Sequence, residues 1–304
     1  MRFVIITPVR NEEHYIGMTI SSMAAQTCRP DKWVIVDDGS TDRTVGIVSE
    51  QMPHLPYLHL IRRSDRGSRM PGQGVVEAFY EGLRAIGDTP YDVVGKMDGD
   101  IEFAPDVLEK LMHAFRHNPR LGITGGIIHE PTGRNVFKPR LVPHDTVGGP
   151  FKFYRKECFE QIGGLIPRAG WDGADIIRAA MYGWQTGEQS DVRIRHLKPT
   201  GMTGGEGLRR SCMKYGDTAY YFGGYLWYFL LRVLLRSLHL CNPLFGFYMV
   251  AGYVRSMIVV RERETQEFRA FLRKRQIHRT FAWIRRTVNR SKPIHVGAPA
   301  KVGP

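Results

Sequence analysis

Short apolar runs alternate with amphipathic segments along the first hundred residues of the chain. The apolar runs have the length of buried strands, and the segments between them carry apolar residues at helical spacing. The predicted strands are Phe3–Thr7, Trp33–Val36, Leu58–Ile61 and Val93–Met97, and the predicted helices are Glu12–Gln26, a segment ending at Ser49, and Val75–Ile86. This alternation predicts an α/β fold with a mostly parallel sheet flanked by helices.

The pattern is less regular over the second hundred residues. Residues 121–163 mix short strands, glycine pairs and turns. Clearer elements surround this stretch: helices are predicted over 104–117, Lys156–Ile162 and Asp172–Tyr182, and a strand over Val192–Leu197. We therefore predict one domain that extends to residue 206.

The composition changes after residue 206. Two apolar stretches, Tyr220–Leu240 and Leu244–Val260, are followed by a basic stretch of helical pattern over 261–290. Residues 291–304 resemble a flexible tail. We predict three parts: the domain over 1–206, a basic amphipathic helical region over 207–290, and the tail.

Charge is distributed unevenly between these parts. The chain has a formal net charge of +13, and residues 207–304 hold 18 Lys and Arg against 4 Asp and Glu. Such asymmetry indicates an anionic partner for the C-terminal third, either a membrane surface or nucleic acid. We expect an anionic membrane surface and no nucleic acid, because the basic region has no base-reading motif and adjoins apolar stretches.

The cysteines and the N-terminus indicate the compartment. Cys28, Cys158, Cys212 and Cys241 are far apart and lack metal-type spacing, so they are expected to be reduced thiols. The first apolar run is too short for a signal peptide. We expect the cytoplasmic face of a membrane, with peripheral attachment and a true span as the alternative.

Acidic residues follow two of the predicted strands. Asp98 and Asp100 leave the same side of an extended chain after Val93–Met97, and their oxygens suit Mg²⁺ or Mn²⁺, ions that also hold phosphates. Asp37 and Asp38 can accept hydrogen bonds from a nucleobase or ribose. Both motifs are also ordinary turn or helix-capping chemistry. The carboxyl ends of parallel strands, however, are where ligands bind in such sheets.

Three motifs together resemble the family 2 glycosyltransferases over roughly residues 1–200. They are Thr7-Pro8-Val9-Arg10-Asn11-Glu12, Val36-Asp37-Asp38-Gly39-Ser40-Thr41-Asp42 and Asp98-Gly99-Asp100, in this order. The resemblance implies the GT-A fold, with residues 1–206 as the catalytic domain. It also implies inverting transfer of a sugar from a nucleotide-diphosphate donor, with Mg²⁺ or Mn²⁺ as cofactor.

The resemblance assigns roles residue by residue. Asp38 is expected at the base edge, and Asp100 at the metal that bridges the diphosphate. Arg69 lies where the family places a loop beside the nucleotide, and its guanidinium suits a diphosphate, although a solvated basic loop is the alternative. The implied donor-binding residues are Thr7, Pro8, Val9, Glu12, Asp37, Asp38, Arg69 and Asp98, and the implied metal ligands are Asp98 and Asp100. Lys96 and His196 are weaker hypotheses for a phosphate contact and a metal ligand.

Inverting transfer needs a carboxylate that takes the proton of the acceptor hydroxyl. The family usually supplies it from a Glu-Asp pair just before a helix that ends at a glycine. In this chain Trp171 and Asp172 precede such a helix, which ends at Gly183, so Trp replaces the Glu. We expect Asp172 to be the base, with Asp175 as the alternative because it lies on nearly the same helical face. Asp172 as a helix cap is the structural alternative.

The apolar stretches after residue 206 are shorter than, or at the limit of, the ~20 residues that span a bilayer. Arg232, Arg236 and Pro243 interrupt them. They are typical of interfacial or re-entrant helices, with the basic stretch against anionic headgroups. A dimer interface, a helical cap and true spans are alternatives, and the sequence does not define the oligomeric state.

Attachment to a membrane favours a lipid-linked, glycolipid or polysaccharide acceptor. One alternative function is a polyprenyl-phosphate sugar synthase of the same fold. Another is a non-catalytic protein that docks on membranes and binds a sugar nucleotide.

Overall fold

Four parallel strands form one half of the sheet in the computed structural model, which describes residues 1–65, 67, 70, 72–133, 136–140, 142–198, 207–239 and 242–290. The strand Phe3–Val9 pairs with Lys32–Asp37 and with Val93–Met97, and Lys32–Asp37 also pairs with Leu58–Arg62. These strands are mostly buried on both faces, as expected for a sheet with helices packed on each face. Their bounds are β1 (Phe3–Val9), β2 (Lys32–Asp37), β3 (Leu58–Arg62) and β4 (Val93–Met97).

The other half of the sheet is mixed. Its strands are β5 (Ile101–Phe103), β6 (Leu121–Gly133), β7 (Val136–Pro139), β8 (Phe151–Arg155) and β9 (Gln185–His196). The order across the sheet is β3-β2-β1-β4-β8-β6-β9-β5, and β7 pairs with β6. β8 runs antiparallel to β4 and β6, and β6 runs parallel to β9. This arrangement brings the start of β8 next to the carboxyl end of β4.

Helices cover both faces because successive residues of a strand point to opposite sides. Ile5 packs with the helices that begin at Ile16 and Val107 on one face, and Ile6 packs with the helices that begin at Gln73 and Trp171 on the other. The helices of this domain are α1 (Ile16–Ala24), α2 (Thr44–Gln51), α3 (Gln73–Ile86), α4 (Val107–His117), α5 (Lys156–Gln161) and α6 (Trp171–Met181).

The chain continues after residue 206 as helices only, within its described part. They are α7 (Leu208–Phe222), α8 (Leu226–His239), α9 (Pro243–Arg255) with a π-helical extension over Ser256–Val260, and α10 (Gln266–Arg290). α7 and α9 approach closely at two glycines. A Cβ on Gly216 would meet the carbonyl of Met249 at 2.0 Å, and one on Gly252 would meet that of Met213 at 2.1 Å. The predicted boundary at 206/207 stays a prediction, and the predicted tail over 291–304 lies outside the described residues.

Helices α8 and α9 and the π-helical extension expose many apolar side chains. Leu234 and Leu235 are 56% and 51% exposed, and Phe247 and Val259 are 66% and 67% exposed. Among the described residues one segment, Pro243–Val260, has the length and composition to cross a bilayer, with a mean hydropathy of 1.4.

Within residues 1–206, two predicted elements begin at least four residues away from their start in the structure. The first helix begins at Ile16 rather than Glu12, because the Glu12 carbonyl accepts the N–H groups of Tyr15 and Ile16 in a preceding turn. The last strand begins at Gln185 rather than Val192. Its polar first half pairs with β6, from Leu121 opposite Gln185 onward, and lacks an apolar alternation that would reveal a strand.

Candidate functional site

A cleft of about 260 Å³ opens at the carboxyl ends of β1, β2 and β4. Five carboxylate residues line it: Glu12 after β1, Asp38 after β2, Asp98 and Asp100 after β4, and Asp172 in the first turn of α6. The acidic residues that follow β2 and β4 therefore meet Asp172 at one cleft.

Asp98, Asp100 and His196 form a cluster that fits a divalent cation. Each offers one ligand atom, and these atoms lie within 4.8 Å of one another. Backbone bonds hold the three in place: Asp98 N–H donates to the Pro150 carbonyl, and Leu197 N–H, beside His196, donates to the Asp100 carbonyl, both at 2.8 Å. Two carboxylates and an imidazole are a donor set that suits Mn²⁺ and related ions.

Gly99 allows this pair of aspartates to approach the first strand. A Cβ at this position would lie 2.7 Å from Cγ1 of Val9, closer than packed carbons come. The glycine is therefore needed for packing, and its two neighbours project towards the cleft.

Cations compensate the carboxylates of the cluster. Lys198 Nζ is 3.3 Å from Asp100 and also pairs with Glu12, while His196 Nε2 is 3.4 Å from Asp100. Burial acts to raise the pKa of Asp100, but His196 and Lys198 outweigh it and the pKa is lowered. Burial acts to lower the pKa of His196, but the Asp100 carboxylate outweighs it and the pKa is raised. Lys96 pairs with Asp98.

Asp38 is held at the opposite side of the cleft. Its N–H donates to the Val9 carbonyl at 2.8 Å, and Arg63 Nη1 is 2.8 Å from its carboxylate. Arg63 in turn contacts Glu81 at 2.7 Å. Arg10 lines the same side and donates to the Asp38 carbonyl. These contacts orient the carboxylate so that it can accept hydrogen bonds from a ligand.

Asp172 enters the cleft from the start of α6. The preceding Gly170 has a φ of +87°, a left-handed conformation that turns the chain into the helix. Lys152 Nζ donates to the Asp172 carbonyl at 2.7 Å, which anchors the first turn from below. The neighbouring Trp171 ring is buried, with Lys96 Nζ 5.2 Å from its centroid. The carboxylate is thus placed by backbone contacts and lies beside an aromatic wall.

Asp175 lies in the interior and does not line the cleft. Its carboxylate is 1% exposed and accepts from Lys152 Nζ at 2.9 Å and from the Tyr154 hydroxyl at 2.6 Å. Burial raises the pKa of Asp175, and Lys152 and Tyr154 offset this only in part. The alternative base is therefore occupied as part of a buried ion pair.

Among the remaining residues that the resemblance implies for donor binding, some line the cleft and others are buried outside it. The Thr7 hydroxyl accepts from the Trp33 indole N–H at 2.9 Å, and the Asp37 carboxylate accepts from Ser40 N–H at 3.1 Å. Val9 is also buried, whereas Pro8 and Glu12 line the cleft. Arg69 lies outside the described residues. The ligand roles of all these residues stay predictions.

Several cleft residues carried little or no weight in the sequence reasoning. His196 could have been weighted more, because Val192, Ile194 and His196 alternate as buried positions and His196 is the last residue of β9. Arg10 stands inside a recognised motif, but only the tertiary structure places its guanidinium beside Asp38. Arg140 and Met70 carry no signal in the sequence; both line the cleft.

An α/β sheet with an Asp-x-Asp pair at the end of its fourth strand is the arrangement expected of a GT-A glycosyltransferase. The Glycosyl transferase family 2 model matches residues 4–168. The chain belongs to this family, and the predictions of the family and of the GT-A fold are confirmed.

Curated relatives match part of the chain. It is 25% identical over 205 residues to the beta-monoglucosyldiacylglycerol synthase of Synechocystis sp., covering 60% of this chain and 41% of the synthase. It is 30% identical over 186 residues to a PGL/p-HBAD biosynthesis glycosyltransferase of Mycobacterium tuberculosis, covering 56% and 67%. It is 27% identical over 178 residues to the polyprenol monophosphomannose synthase of Mycolicibacterium smegmatis, covering 53% and 64%.

Solved structures share the fold. The mannosyltransferase PcManGT from Pyrobaculum calidifontis, in complex with GDP-Man and Mn²⁺, superposes with a TM-score of 0.55 at 17% identity, covering 95% of this chain and 83% of that one. Residues 1–349 of S. aureus TarS, in complex with UDP-GlcNAc, give a TM-score of 0.53 at 19% identity, covering 71% and 66%.

Proposed function

We propose that this chain is an inverting hexosyltransferase that uses a nucleotide-diphosphate sugar and a divalent cation. Its acceptor is a hydroxyl of a lipid-linked, glycolipid or polysaccharide substrate at the cytoplasmic face of a membrane. One observation carries the proposal: the Asp172 carboxylate shares a cleft with the cluster of Asp98, Asp100 and His196.

The donor binds across the carboxyl ends of the parallel strands. Asp38 accepts hydrogen bonds from the base edge, because its carboxylate faces the cleft and is held by Arg63. Pro8 and Glu12 of the first motif also line the cleft and would contact the ribose side. Asp98 lies at the junction of the ribose and metal sites.

Asp98, Asp100 and His196 would hold the cation. When bound, the ion supplies positive charge that stabilises the departing diphosphate. The choice between Mg²⁺ and Mn²⁺ is open in the family, but the imidazole nitrogen of His196 favours Mn²⁺, because Mg²⁺ prefers oxygen ligands and water. Lys198, which pairs with both Asp100 and Glu12, would still have Glu12 as a partner when the Asp100 carboxylate holds the ion.

Asp172 acts as the general base. It accepts the proton of the acceptor hydroxyl while that oxygen forms a bond to the anomeric carbon and the bond from this carbon to the diphosphate oxygen breaks. Its place in the cleft supports this role. Asp175 is less suited, because its carboxylate is buried and paired with Lys152. Trp171 gives the sugar an apolar wall.

The C-terminal region brings the active site to the membrane. Exposed leucines of α8 and α9 offer an apolar surface, and α10 is rich in arginine. The names of the relatives, a glucosyldiacylglycerol synthase and a polyprenol phosphomannose synthase, describe sugar transfer to lipids, which supports a lipid-linked acceptor.

A polyprenyl-phosphate sugar synthase is the second candidate. Two relatives are named for this chemistry, including the undecaprenyl-phosphate mannosyltransferase of Micrococcus luteus. A phosphate nucleophile is already ionised and needs little help from a base. In that case Asp172→Asn would reduce turnover only slightly, whereas a hydroxyl acceptor would require the carboxylate.

A screen of nucleotide sugars tests the proposal directly. The full-length chain should be stabilised against thermal unfolding by one nucleotide sugar in the presence of Mn²⁺, because a ligand of the native state shifts the unfolding equilibrium. Asp100→Ala should abolish this stabilisation. Binding without any transfer of radiolabelled sugar to membrane lipid extracts would instead support the non-catalytic alternative, and no binding of any donor would contradict the proposal.

A further inference from the structure

A second cavity, of about 240 Å³, lies between α6 and the C-terminal helices; we name it the aromatic cavity. It is on the other side of the first turn of α6 from the cleft. Trp171 and Asp172 line the cleft, whereas Gly173 and Ile177 line the aromatic cavity. The donor site and the proposed reaction make no use of it.

Aromatic side chains form much of its wall. Phe222 ends α7, Tyr225 lies in the link between α7 and α8, and Tyr228 and Phe229 belong to the first turn of α8. Tyr225 and Tyr228 are only partly buried, so the cavity opens to the outside. The same helix exposes large aliphatic side chains next to them in sequence, Leu226 at 51% and Leu230 at 45%. An open aromatic cavity on a helix with an exposed apolar face indicates an apolar ligand.

Guanidinium groups lie among the rings. Arg232, Arg275 and Arg279 line the aromatic cavity, and none of its described lining residues is acidic. One carboxylate, that of Asp145, serves both Arg275 and Arg279. In addition, Nη1 of Arg275 is buried and finds no hydrogen-bond acceptor among the described residues. The wall therefore carries more positive charge than its surroundings compensate, which favours an anionic group such as a phosphate.

We propose that the aromatic cavity binds the phosphate-bearing end of a membrane lipid. The phosphate contacts Arg275 and Arg279, and the adjoining part of the chain packs on Tyr228 and Phe229. Small-molecule sites typically measure about 300–1,000 Å³. The aromatic cavity therefore holds one end of a lipid, and the rest of the lipid stays with the apolar face of α8.

A lipid in the aromatic cavity would contact two segments that position Asp172. Gly173 follows Asp172 in α6, and Thr146 belongs to the segment that leads to Gly149. By contacting both Gly173 and Thr146, the lipid would rigidify the start of α6 and the segment before Gly149, between which the Asp172 carboxylate lies. This effect on turnover rests on the proposed function, whereas the binding itself does not.

Calorimetric titration of the full-length chain with soluble lipid analogues tests the proposal. The probes are geranyl phosphate, dihexanoyl phosphatidic acid, geraniol and inorganic phosphate. We expect a phosphate-bearing amphiphile to bind at least tenfold more tightly than geraniol or inorganic phosphate. Tighter binding of geranyl phosphate identifies a prenyl phosphate as the source, and tighter binding of the phosphatidic acid identifies a bilayer phospholipid. Equal affinity for inorganic phosphate would overturn the proposal.

Two substitutions locate the binding. Ala219→Phe fills the aromatic cavity and should weaken binding of the amphiphile at least tenfold, and Arg279→Gln should weaken it at least fivefold. Arg263→Gln is the matched control, because Arg263 packs over Tyr220 and does not line the cavity. Wild-type affinity in both cavity variants would contradict the proposal.

Crosslinking of the wild-type chain locates the binding site even if the two variants fail to fold. A diazirine analogue of geranyl phosphate should label peptides that contain Tyr225–Arg232 or Leu272–Arg279. Labels confined to the cleft would overturn the cavity site, yet they would leave the proposed transferase intact. If the cavity peptides were labelled in a chain that transfers no sugar, the cavity site would be supported and the proposed transferase would be contradicted.

Discussion

The carboxylate of Asp172 lies against the backbone of Gly149: a Cβ on Gly149 would be only 3.2 Å from Asp172 Oδ2. The Gly149 carbonyl accepts from Lys96 at 3.1 Å, and Lys96 also pairs with Asp98. One glycine thus connects the proposed base with the proposed metal cluster. Any side chain at this position must displace Asp172 or its helix.

Gly149→Ala should therefore slow turnover while the donor still binds. The added methyl group pushes the carboxylate by a few tenths of an ångström, and a misplacement of this kind costs about tenfold in kcat. Steady-state kinetics and donor calorimetry separate the two effects. Gly133→Ala is the control, because a Cβ there meets nothing within 4 Å. An unchanged kcat in Gly149→Ala would show that the position of Asp172 does not limit the reaction.

Asp172→Asn should bind the donor normally and lose about 10²–10⁴-fold in kcat, the usual contribution of a general base. The measurement compares single-turnover rates with donor affinity. Asp175→Asn should act mainly on stability, because Asp175 is buried and paired with Lys152 and Tyr154. If Asp175→Asn alone abolishes turnover in a folded protein, the base has been assigned to the wrong residue.

Lys152→Met should lower the free energy of unfolding by about 3–5 kcal/mol, because it leaves the Asp175 carboxylate buried without its cation. The double variant Lys152→Met with Asp175→Leu should recover most of this loss, since no buried charge remains. Urea denaturation monitored by circular dichroism measures both. A single variant as stable as the wild type would show that the pair is not energetically coupled.

The deficit of Lys152→Met should also depend on pH. Burial already raises the pKa of Asp175 in the folded protein, and removal of Lys152 raises it further. A carboxyl with a raised folded-state pKa contributes stability below its unfolded pKa, and this contribution is lost as the pH rises through the folded value. The variant should therefore be closer to the wild type at about pH 5 than at about pH 8. A constant deficit would contradict this linkage.

His196→Ala should weaken binding of Mn²⁺ more than binding of Mg²⁺. Loss of a residue that merely supports a metal ligand costs about 10–100-fold in affinity, so loss of a direct nitrogen ligand should cost at least tenfold. The affinity of the wild type and of the variant for each ion is compared by measuring thermal stabilisation with a nucleoside diphosphate present. His129→Ala is the control, since His129 lies outside the cluster. Equal losses for the two ions would argue that His196 does not ligate.

Leu234→Ser combined with Leu235→Ser should reduce binding to anionic vesicles. Burial of a leucine is worth about 1.5–3 kcal/mol, so the pair should lower partitioning by about 100-fold or more. Vesicle co-sedimentation measures this, with Val136→Ser as a control because Val136 is 50% exposed on β7. Unchanged partitioning together with loss of a dimer in light scattering would support the dimer interface that the sequence left open.

The first half of the sheet could be read from the sequence, because each parallel strand is a short apolar run that ends in a polar loop. Asp38 and Asp98 stand directly after such runs, so their position at the carboxyl edge followed from strand order alone. The mixed half was not readable in the same way. β8 pairs with β4 and β6 across long stretches of chain, and local periodicity does not report such pairings.

The sequence by itself determined the class of fold, the family and the acidic residues that meet at the cleft. Tertiary structure placed Asp172 in the cleft and Asp175 in the interior, although the two lie three residues apart on nearly the same face of one helix. Lys152 and Tyr154 from β8 bind the Asp175 carboxylate in the interior, while Gly149 leaves room for Asp172 in the cleft. The physical reason is that helical spacing gives only the direction in which each side chain leaves the helix. Whether that side chain is buried or paired with a cation depends on which strand packs beneath the helix.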